Sequence, residues 1–314
     1  MKREESVPRR MVEMVERALL GHREVVELAT CAFIAGGHLL IEDVPGVGKT
    51  TLARALARAS GGGFRRVQFT SDLLPADITG VSVWNPREAE FSFKPGPVFG
   101  NVVLADEINR APPKTQSALL EAMSERQVSV DGTARELPVP FAVIATQNIQ
   151  EHHGTYPLPE SQLDRFMIRL SIGYPDAAAE RRVVSRPGLE DPVEGLEPVI
   201  GPEDFSRLER AVDAVSVEDA VLDYIMDIVE RTRAADTLSL GVGPRGGMAL
   251  HRAARSLALL RGRDYCLVDD VKQLAEAVLA HRVVPSGSAG DGIWSRRQAV
   301  RAIREIVGSA EIPL

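Results

Sequence analysis

The sequence predicts an α/β fold in which helices flank a parallel sheet, followed by a smaller domain made only of helices. Two observations favour this class. Short apolar runs alternate with helical segments in the first part of the chain, and later apolar residues recur only at helical spacing. The length of 314 residues is large for one hydrophobic core and favours two domains.

Five apolar runs are the candidate strands of the sheet. Three of them are continuous rather than alternating, which is typical of strands that are buried on both faces of a parallel sheet. Helical segments follow the first and the third run, as strand–helix alternation requires. The five runs lie at 38–42, 65–70, 102–105, 141–146 and 167–172.

A change in composition separates the two predicted domains. Residues 186–202 are rich in proline, glycine and acidic residues, so we interpret them as a linker between a core at 1–185 and a helical domain at 203–314. Ser216 is a candidate N-cap for a helix in the second domain. The face of that helix is predicted to carry Val221, Tyr224, Ile225, Ile228 and Val229. Further helices are predicted at 245–261, 269–281 and 294–307.

The composition limits which cellular compartment and which class of partner are expected. A net charge of −7 weakly disfavours non-specific binding to nucleic acid. Cys31 and Cys266 lie far apart in apolar surroundings, which predicts two buried free thiols in a reducing compartment. The N-terminus lacks the apolar region of a signal peptide, and the longest apolar stretch is shorter than the ~18–20 residues of a membrane span. We therefore expect a cytoplasmic protein without a transmembrane segment.

A phosphate-binding loop is predicted directly after the first strand. Residues 43–50 match G-x-x-x-x-G-K-[ST] at every position except the first, where Asp43 replaces glycine. Aspartate adopts positive φ at tolerable cost, so the turn is expected to survive. Lys49 would reach the β- and γ-phosphates, and the Thr50 hydroxyl would bind Mg²⁺. The predicted ATP-binding residues here are Asp43, Pro45, Gly46, Val47, Gly48, Lys49, Thr50 and Thr51.

Two adjacent carboxylates, Asp106 and Glu107, end the third apolar run. Ligands of open α/β sheets bind at the carboxyl ends of strands, and adjacent strand side chains point to opposite faces. We therefore predict that Asp106 binds Mg²⁺ and that Glu107 polarises the attacking water as a general base. The alternatives are a glycine-rich turn that merely starts a helix and an Asp-Glu step on the surface.

The order of these motifs resembles that of the MoxR ATPases of the AAA+ superfamily. The resemblance spans residues 40–284 and rests on DVPGVGKTTLA, RVQFTSDLLPADITG, FSFKPGPVFGNVVLADEINRAPPKTQSALLEAM, IATQN, YPLPESQLDRF, GPR, GRDY and HRVV. It implies a P-loop AAA+ core with a C-terminal all-α lid domain. It also implies hydrolysis of Mg-ATP in a ring, usually of six subunits.

The resemblance carries roles to individual residues. Asn148 matches the polar sensor beside the γ-phosphate, and Arg165 looks like the arginine finger that enters a neighbouring subunit's site. Arg245 matches the sensor arginine of the lid, which touches the γ-phosphate in its own subunit. Gly21 and His22 match the N-terminal segment that lies near adenine.

Each of the first three roles has a plainer alternative. Asn148 could cap a strand end, Arg165 could pair with Asp164 on the surface, and Arg245 could lie on a solvated helix face. Arg245 also departs from the family pattern G-x-S-P-R, because Gly243 precedes the proline. Two glycines follow Arg245 and would weaken the first helical turn.

Two inserted segments also match the family. Residues 77–98 interrupt the helix expected after the second strand, and residues 126–140 form a predicted hairpin with Asp131 and Gly132 at its turn. In related proteins both segments face the central pore or the partner. Hairpin tips tend to be basic in relatives that move DNA, so the acidic tip here argues against phosphate contact. The alternative is a pair of ordinary surface hairpins.

Three functions remain open at this stage. The first is a ring-forming ATPase with a chaperone-like role, which the resemblance links to partners with a von Willebrand factor A domain and its metal site. The second is a nucleic-acid-dependent motor, which the charge and the missing basic–aromatic stripe disfavour. The third is a nucleotide-gated scaffold with little turnover, which the full set of catalytic residues disfavours. A metal-chelatase motor is a near relative of the first.

Overall fold

The computed structural model describes residues 6–148, 154–185, 191–287 and 292–311. Its strands are β1 (Leu39–Glu42), β2 (Phe64–Gln68), β3 (Gly80–Asn85), β4 (Glu90–Pro95), β5 (Val102–Asp106), β6 (Gln127–Val130), β7 (Thr133–Glu136), β8 (Ala142–Gln147), β9 (Ile168–Leu170), β10 (Leu238–Leu240) and β11 (Val284–Pro285). Its helices are α1 (Ser6–Ala18), α2 (Arg23–Ile34), α3 (Lys49–Ala59), α4 (Pro75–Thr79), α5 (Pro113–Glu125), α6 (Glu160–Leu163), α7 (Ala177–Val184), α8 (Pro202–Asp213), α9 (Asp219–Ala234), α10 (Pro244–Leu260), α11 (Val268–Leu279) and α12 (Gly292–Ser309).

The five predicted strands form one parallel sheet in the order β2–β5–β8–β1–β9. Leu39 of β1 lies level with Ile144 of β8 and with Ile168 of β9. The predicted fold class, a parallel sheet flanked by helices and followed by a lid, is confirmed. Because all five strands run the same way, their carboxyl ends lie along one edge of the sheet, and their amino ends lie along the other.

Side chains alternate between two hydrophobic cores on the two faces of the sheet, as the period of two requires. On β5, Val102 and Leu104 pack with helices α1 to α3 and with the helices of the second half of the chain. Val103 and Ala105 face the other way and pack with α5 and the inserted segments. The sheet is therefore buried on both faces, which explains why its central strands are continuous apolar runs.

The two inserted segments form antiparallel hairpins that contact each other. β3 pairs with β4, and β6 pairs with β7 across Asp131 and Gly132, whose φ angles are 52° and 75°. Positive φ at both turn residues is the signature of a type I′ turn. The Arg135 guanidinium lies 3.8 Å from the centre of the Phe93 ring and joins the second hairpin to the first.

The segment before α8 packs on the core rather than standing apart from it. Of the segment predicted as a linker, 186–190 lie outside the described residues. Val193 and Leu196 are buried, and the Val199 amide donates to the Ala59 carbonyl at 2.8 Å. These contacts fix the start of the helical part against the end of α3.

The helical part contains two features that the sequence did not predict. α9 begins at Asp219 with Glu218 as its N-cap, and Ser216 instead donates its hydroxyl to the Asp264 carbonyl at 3.0 Å, so its assignment as N-cap was wrong. β10 and β11 form a short antiparallel pair, so the expectation of helices alone was also wrong. The five apolar residues predicted for one face of α9 are all buried.

The two cysteines are free and buried, as predicted. Burial raises the pKa of the Cys31 thiol to about 12 and that of the Cys266 thiol to about 11. Both thiols are therefore protonated and unreactive at neutral pH. Among the described residues, none of the helices has the length and apolar character needed to cross a membrane.

Candidate functional site

The predicted phosphate loop leaves the carboxyl end of β1 and enters α3. Gly46 and Gly48 have φ angles of +86° and +99°, a conformation that glycine adopts readily. Asp43 is not among the residues with positive φ, so it does not fill the turn position of the missing glycine in the way that the sequence suggested. Val47 is buried beneath the loop, and Pro45 is exposed at its tip.

Asp43 instead anchors the loop through its side chain. Its buried carboxylate accepts hydrogen bonds from the Ile172 amide at 2.6 Å, the Gly173 amide at 2.8 Å and the Ser171 hydroxyl at 2.9 Å. The Val44 amide donates to the other oxygen at 2.8 Å. Burial alone raises the pKa of Asp43, but these hydrogen bonds outweigh burial and lower it. Asp43 is therefore an anion that ties the loop to the end of β9.

Lys49 is the first residue of α3, and its ammonium donates to the Asp43 carbonyl at 2.9 Å. Thr50 and Thr51 follow in the first turn of α3 and are half-buried. The N-terminus of a helix presents unpaired amide groups and a partial positive charge, which suits the phosphates of a nucleotide. The loop thus combines open backbone at Gly46 with a lysine and a helix start.

The segment between α1 and α2 lies against this loop. A Cβ atom added at Gly48 would come within 2.6 Å of Leu19, and one added at Gly21 would come within 2.7 Å of Ala179. His22 is buried as the N-cap of α2. Burial lowers the pKa of His22, against the opposing charges of Asp43 and Asp176. This segment therefore lies beside the phosphate loop, and the role of Gly21 and His22 near adenine stays a prediction.

Asp106 is held at the end of β5 by neighbours on both sides. One carboxylate oxygen, Oδ1, accepts from the Thr146 hydroxyl of β8 at 2.6 Å. The other, Oδ2, accepts from the Arg66 guanidinium of β2, with distances of 2.7 Å from Nη2 and 3.2 Å from Nε. Asp106 therefore lies in the plane of the sheet, between the strands on either side.

Glu107 leaves the strand in a left-handed turn, with φ 56° and ψ 51°. Such a conformation is uncommon for glutamate and is often found at functional sites. The strand ends at Asp106, so the expected alternation of the two side chains between opposite faces was wrong. The Glu107 carboxylate accepts from Gln68 at 3.0 Å and from Arg110 at 2.8 Å.

Asn148 follows directly after β8, whose last residues Thr146 and Gln147 lie beside Ile41 and Glu42 of β1. The register therefore brings Asn148, the phosphate loop and the two carboxylates to the same edge of the sheet. The described residues contain no cluster of three or more His, Cys, Asp or Glu side chains that could hold a metal. Mg²⁺ usually binds one or two carboxylates together with substrate phosphates, so the oxygen donors of Thr50 and Asp106 fit it.

Arg165 lies at the opposite edge of the sheet. It precedes the amino end of β9, and its Nη1 donates to the Leu120 carbonyl at 2.7 Å and contacts the Ser124 hydroxyl of α5. Its buried Nε has no hydrogen-bond partner among the described residues. Asp164 pairs with Arg282 at 2.9 Å, so an ion pair between Arg165 and its neighbour is not what the structure contains.

Arg245 lies at the same edge of the sheet, near Asp164, the residue that precedes Arg165 in the chain. It occupies the first turn of α10, its side chain is 54% exposed, and its Nε is 3.7 Å from the Asp164 carboxylate. A Cβ atom added at Gly246 would come within 2.5 Å of Val242 and 2.9 Å of Arg282, so that glycine permits the close approach of α10. The glycine that should weaken the helix therefore has a packing role.

This placement contradicts the expectation that Arg245 touches the γ-phosphate in its own subunit. Ile168 is level with the start of β1, and Asp164 lies before it, whereas the phosphate loop begins after the four residues of β1. At about 3.3 Å per residue, the two levels are separated by roughly 13 Å, before the further distance to Asp164 is counted. Arg245 and Arg165 are therefore both remote from the phosphate loop of the same chain.

Sequence reasoning missed the residues that hold the site residues in place. Arg66, Gln68 and Thr146 bind the two carboxylates, and Arg282 binds Asp164. Arg66 and Gln68 are two residues apart on a predicted strand and therefore share a face, which was the signal in the sequence. This spacing did not identify Asp106 and Glu107 as their partners, because that requires knowing that β2 lies beside β5.

The fold and the site together define a P-loop ATPase with a helical lid. A family model for the "ATPase family associated with various cellular activities (AAA)" matches residues 38–168, and one for the "AAA lid domain" matches residues 230–303. A crystal structure of a protein from Cytophaga hutchinsonii, described as a candidate ATPase, has a TM-score of 0.85 and 34% identity, covering 97% of this chain and 95% of that chain.

Proteins with similar sequences show which family of AAA+ ATPases this chain belongs to. A Bacillus subtilis protein named YeaC is 50% identical over 304 residues, which cover 96% of this chain and 94% of that protein. The Mycobacterium tuberculosis protein named chaperone MoxR1 is 42% identical over 284 residues, which cover 88% of this chain and 75% of that protein. The chain belongs to the MoxR family of AAA+ ATPases and is an ATP hydrolase.

Proposed function

We propose that this ATPase works as a ring, in which each active site is completed by the neighbouring subunit, and that it uses hydrolysis to remodel or activate a partner protein. One observation carries the proposal. The phosphate loop and both carboxylates lie at the carboxyl edge of the sheet, while Arg165 and Arg245 lie beside Asp164 at the amino edge.

The carboxyl edge supplies the residues that bind and activate. Lys49 and the start of α3 bind the β- and γ-phosphates, and Thr50 and Asp106 would hold Mg²⁺, which neutralises developing negative charge when bound. Glu107 polarises a water molecule for attack on the γ-phosphate, and Asn148 orients that water. The left-handed turn at Glu107 ends the strand there, and Gln68 and Arg110 hold its carboxylate beside Asp106.

The amino edge supplies two further guanidinium groups for the neighbouring site. Arg165 and Arg245 stabilise charge on the phosphoryl group that the neighbouring subunit holds, because transferring phosphoryl oxygens gain most from a fixed guanidinium. A contact that joins the amino edge of one subunit to the carboxyl edge of the next is head-to-tail. Such contacts close into a ring when the rotation permits, and six subunits is the number that the family implies.

The partner is proposed to be a protein, and the name of the relative chaperone MoxR1 supports this. The β3–β4 hairpin exposes Trp84 by 50% and Phe91 by 69%, with the two rings 5.2 Å apart in an edge-to-face pair. Exposed aromatic side chains at a hairpin suit contact with apolar protein segments. Within the family, a partner with a von Willebrand factor A domain and its metal site is the leading candidate.

The test is ATPase activity per subunit against protein concentration, from well below micromolar upward, with Mg²⁺ present. We expect activity that climbs cooperatively as subunits assemble, and none from Lys49→Ala at any concentration. Sedimentation at each concentration reports assembly. An appreciable constant rate from chains that sediment as monomers would overturn the shared site. Strong stimulation by single-stranded DNA would favour the nucleic-acid motor instead.

A further inference from the structure

Arg66 and Gln68 form what we call the β2 clasp, because both side chains reach from β2 to the carboxylates at the end of β5. The two residues share a face of β2, and Gln68 lies level with Asp106 in the parallel register. Arg66 donates two nitrogens to Oδ2 of Asp106, at 2.7 and 3.2 Å. Gln68 donates to Glu107 at 3.0 Å.

The two halves of the clasp are joined to each other. Arg66 Nη2 also donates to the Gln68 amide oxygen at 3.3 Å. A continuous chain of hydrogen bonds therefore runs from Asp106 through Arg66 and Gln68 to Glu107. The clasp gives the adjacent carboxylates a cation and a donor, which offsets the repulsion between them.

We propose that Arg66 is a positioning residue that competes with Mg²⁺ for the negative charge of Asp106. Oδ1, which accepts from Thr146 of β8 at 2.6 Å, lies on the side of the phosphate loop, and Oδ2 lies on the side of β2. A guanidinium bonded to Oδ2 through two nitrogens neutralises part of the charge that Asp106 would offer to a cation on its other side. A metal held on the Oδ1 side would in turn weaken the bond between Asp106 and Arg66. This inference rests on the metal role proposed above for Asp106.

The exposure of the two partners fits such an exchange. The Asp106 side chain is 14% exposed and fixed by the sheet, whereas the Arg66 side chain is 50% exposed and free to swing into solvent. An ion pair this exposed is weak, so a divalent cation with its phosphates can break it. Release of Arg66 also frees its bond to Gln68, and the change therefore reaches Glu107, the proposed general base.

The experiment measures how much Mg²⁺ improves nucleotide binding. The affinity for a fluorescent, non-hydrolysable ATP analogue is determined with Mg²⁺ and again in EDTA, and the ratio is the metal gain. For Arg66→Gln we expect a metal gain about two- to fivefold larger than in the wild type, because the competing cation is absent. The affinity in EDTA should be unchanged. A gain equal to or smaller than that of the wild type would overturn the competition.

Matched variants separate this inference from the function on which it rests. Arg65→Gln removes an exposed arginine next to Arg66, on the opposite face of β2, and should leave the metal gain at the wild-type value. Arg66→Lys keeps the charge with a single ammonium donor and should fall between wild type and Arg66→Gln. Asp106→Asn should abolish the gain.

The outcomes are distinct. If Asp106→Asn retains the full gain, the proposed metal role of Asp106 is wrong. If it loses the gain while Arg66→Gln matches the wild type, only the competition is wrong. Thermal melting by circular dichroism checks that each variant is folded, and the exposure of Arg66 makes a folding defect unexpected.

Discussion

The two edges of the central sheet differ in how their charged side chains are paired within the chain. At the carboxyl edge the carboxylates Asp106 and Glu107 are satisfied by Arg66, Gln68 and Arg110 from the same chain. At the amino edge Arg245 and Arg282 share the carboxylate of Asp164. Arg245 lies 3.7 Å from an Asp164 that is already bonded to Arg282, and one nitrogen of Arg165 is buried without a partner among the described residues.

Under the proposed function, the carboxyl edge binds the nucleotide and activates water. The two arginines proposed to stabilise the transferred charge, Arg165 and Arg245, lie at the other edge of the sheet. The proposed head-to-tail contact would bring the phosphates of a second subunit to these arginines.

Replacement of the proposed finger should give the largest loss. We expect Arg165→Ala to lower kcat by about 10³-fold or more, because an arginine finger stabilises charge only in the transition state. ATP affinity should stay within a few fold of the wild type. Steady-state ATPase assays with equilibrium nucleotide binding check both. Arg301→Ala, which removes an exposed arginine paired with Glu305 on α12, is the control and should leave both kcat and ATP affinity unchanged. A loss of less than tenfold for Arg165→Ala would contradict the assignment.

Replacement of Glu107 at the carboxyl edge should give the next largest loss of hydrolysis. Glu107→Gln keeps the shape and the hydrogen-bonding capacity of the side chain but cannot accept a proton. We expect hydrolysis to fall by about 10²- to 10³-fold while ATP still binds. Single-turnover assays separate the chemical step from product release. Turnover close to that of the wild type would show that Glu107 is not the base.

Arg245→Ala tests whether Arg245 acts in its own site or in that of a neighbouring subunit. Its effect on kcat should be smaller than that of Arg165→Ala. We expect a loss of about 10²-fold in kcat, in line with the removal of one charge-stabilising group. ATP affinity of dilute, unassembled subunits should not change, because Arg245 lies away from its own phosphate loop. Weaker ATP binding by those dilute subunits would place Arg245 in its own site after all.

Low pH should lower the free energy of unfolding, because two histidines near the amino edge are buried in their neutral form. His38 precedes β1, its Nδ1 accepts from the Val143 amide at 3.0 Å, and burial lowers its pKa to about 4. Burial also lowers the pKa of His281, which bonds to the Phe166 carbonyl. The unfolded chain binds these protons near pH 6.5 and the folded chain does not, so stability is lost as the pH falls from 6.5 toward 4.

For His38 alone the expected loss of stability from pH 7 to pH 5 is about 2 kcal/mol. Urea unfolding at several pH values measures it. His38→Gln lacks the titrating ring, so its free energy of unfolding should fall less steeply over the same range, whatever its value at pH 7. An equal slope for both proteins would show that His38 does not titrate in this way.

Most of the fold followed from local patterns, and most of what was missed depends on contacts between distant segments. The run at Val102–Ala105 predicted its strand because burial on both faces leaves a continuous apolar signature. The phosphate loop was equally local. Asp43 was misjudged because its hydrogen-bond donors, such as Ile172, come from a strand more than a hundred residues away. Local sequence could not have supplied that information.

The predictions for site residues were wrong for the same reason. Glu107 was assigned by strand alternation, but its left-handed turn ends the strand one residue earlier. Arg245 was placed by resemblance in its own site, whereas the contact of Arg282 with Asp164 fixes the helical part near the amino edge. Two-residue strands such as Val284–Pro285 are too short to leave a pattern.

Mixing two inactive variants measures whether one subunit's arginines complete another subunit's site. Lys49→Ala subunits keep both arginines but cannot bind phosphate, whereas Arg165→Ala subunits bind ATP but lack the finger. Neither should hydrolyse ATP alone. We expect activity to appear when the two are mixed and allowed to exchange, because a Lys49→Ala subunit then places its Arg165 at an intact phosphate loop. Mixtures that assemble, as shown by sedimentation, yet stay as inactive as their parents would contradict it.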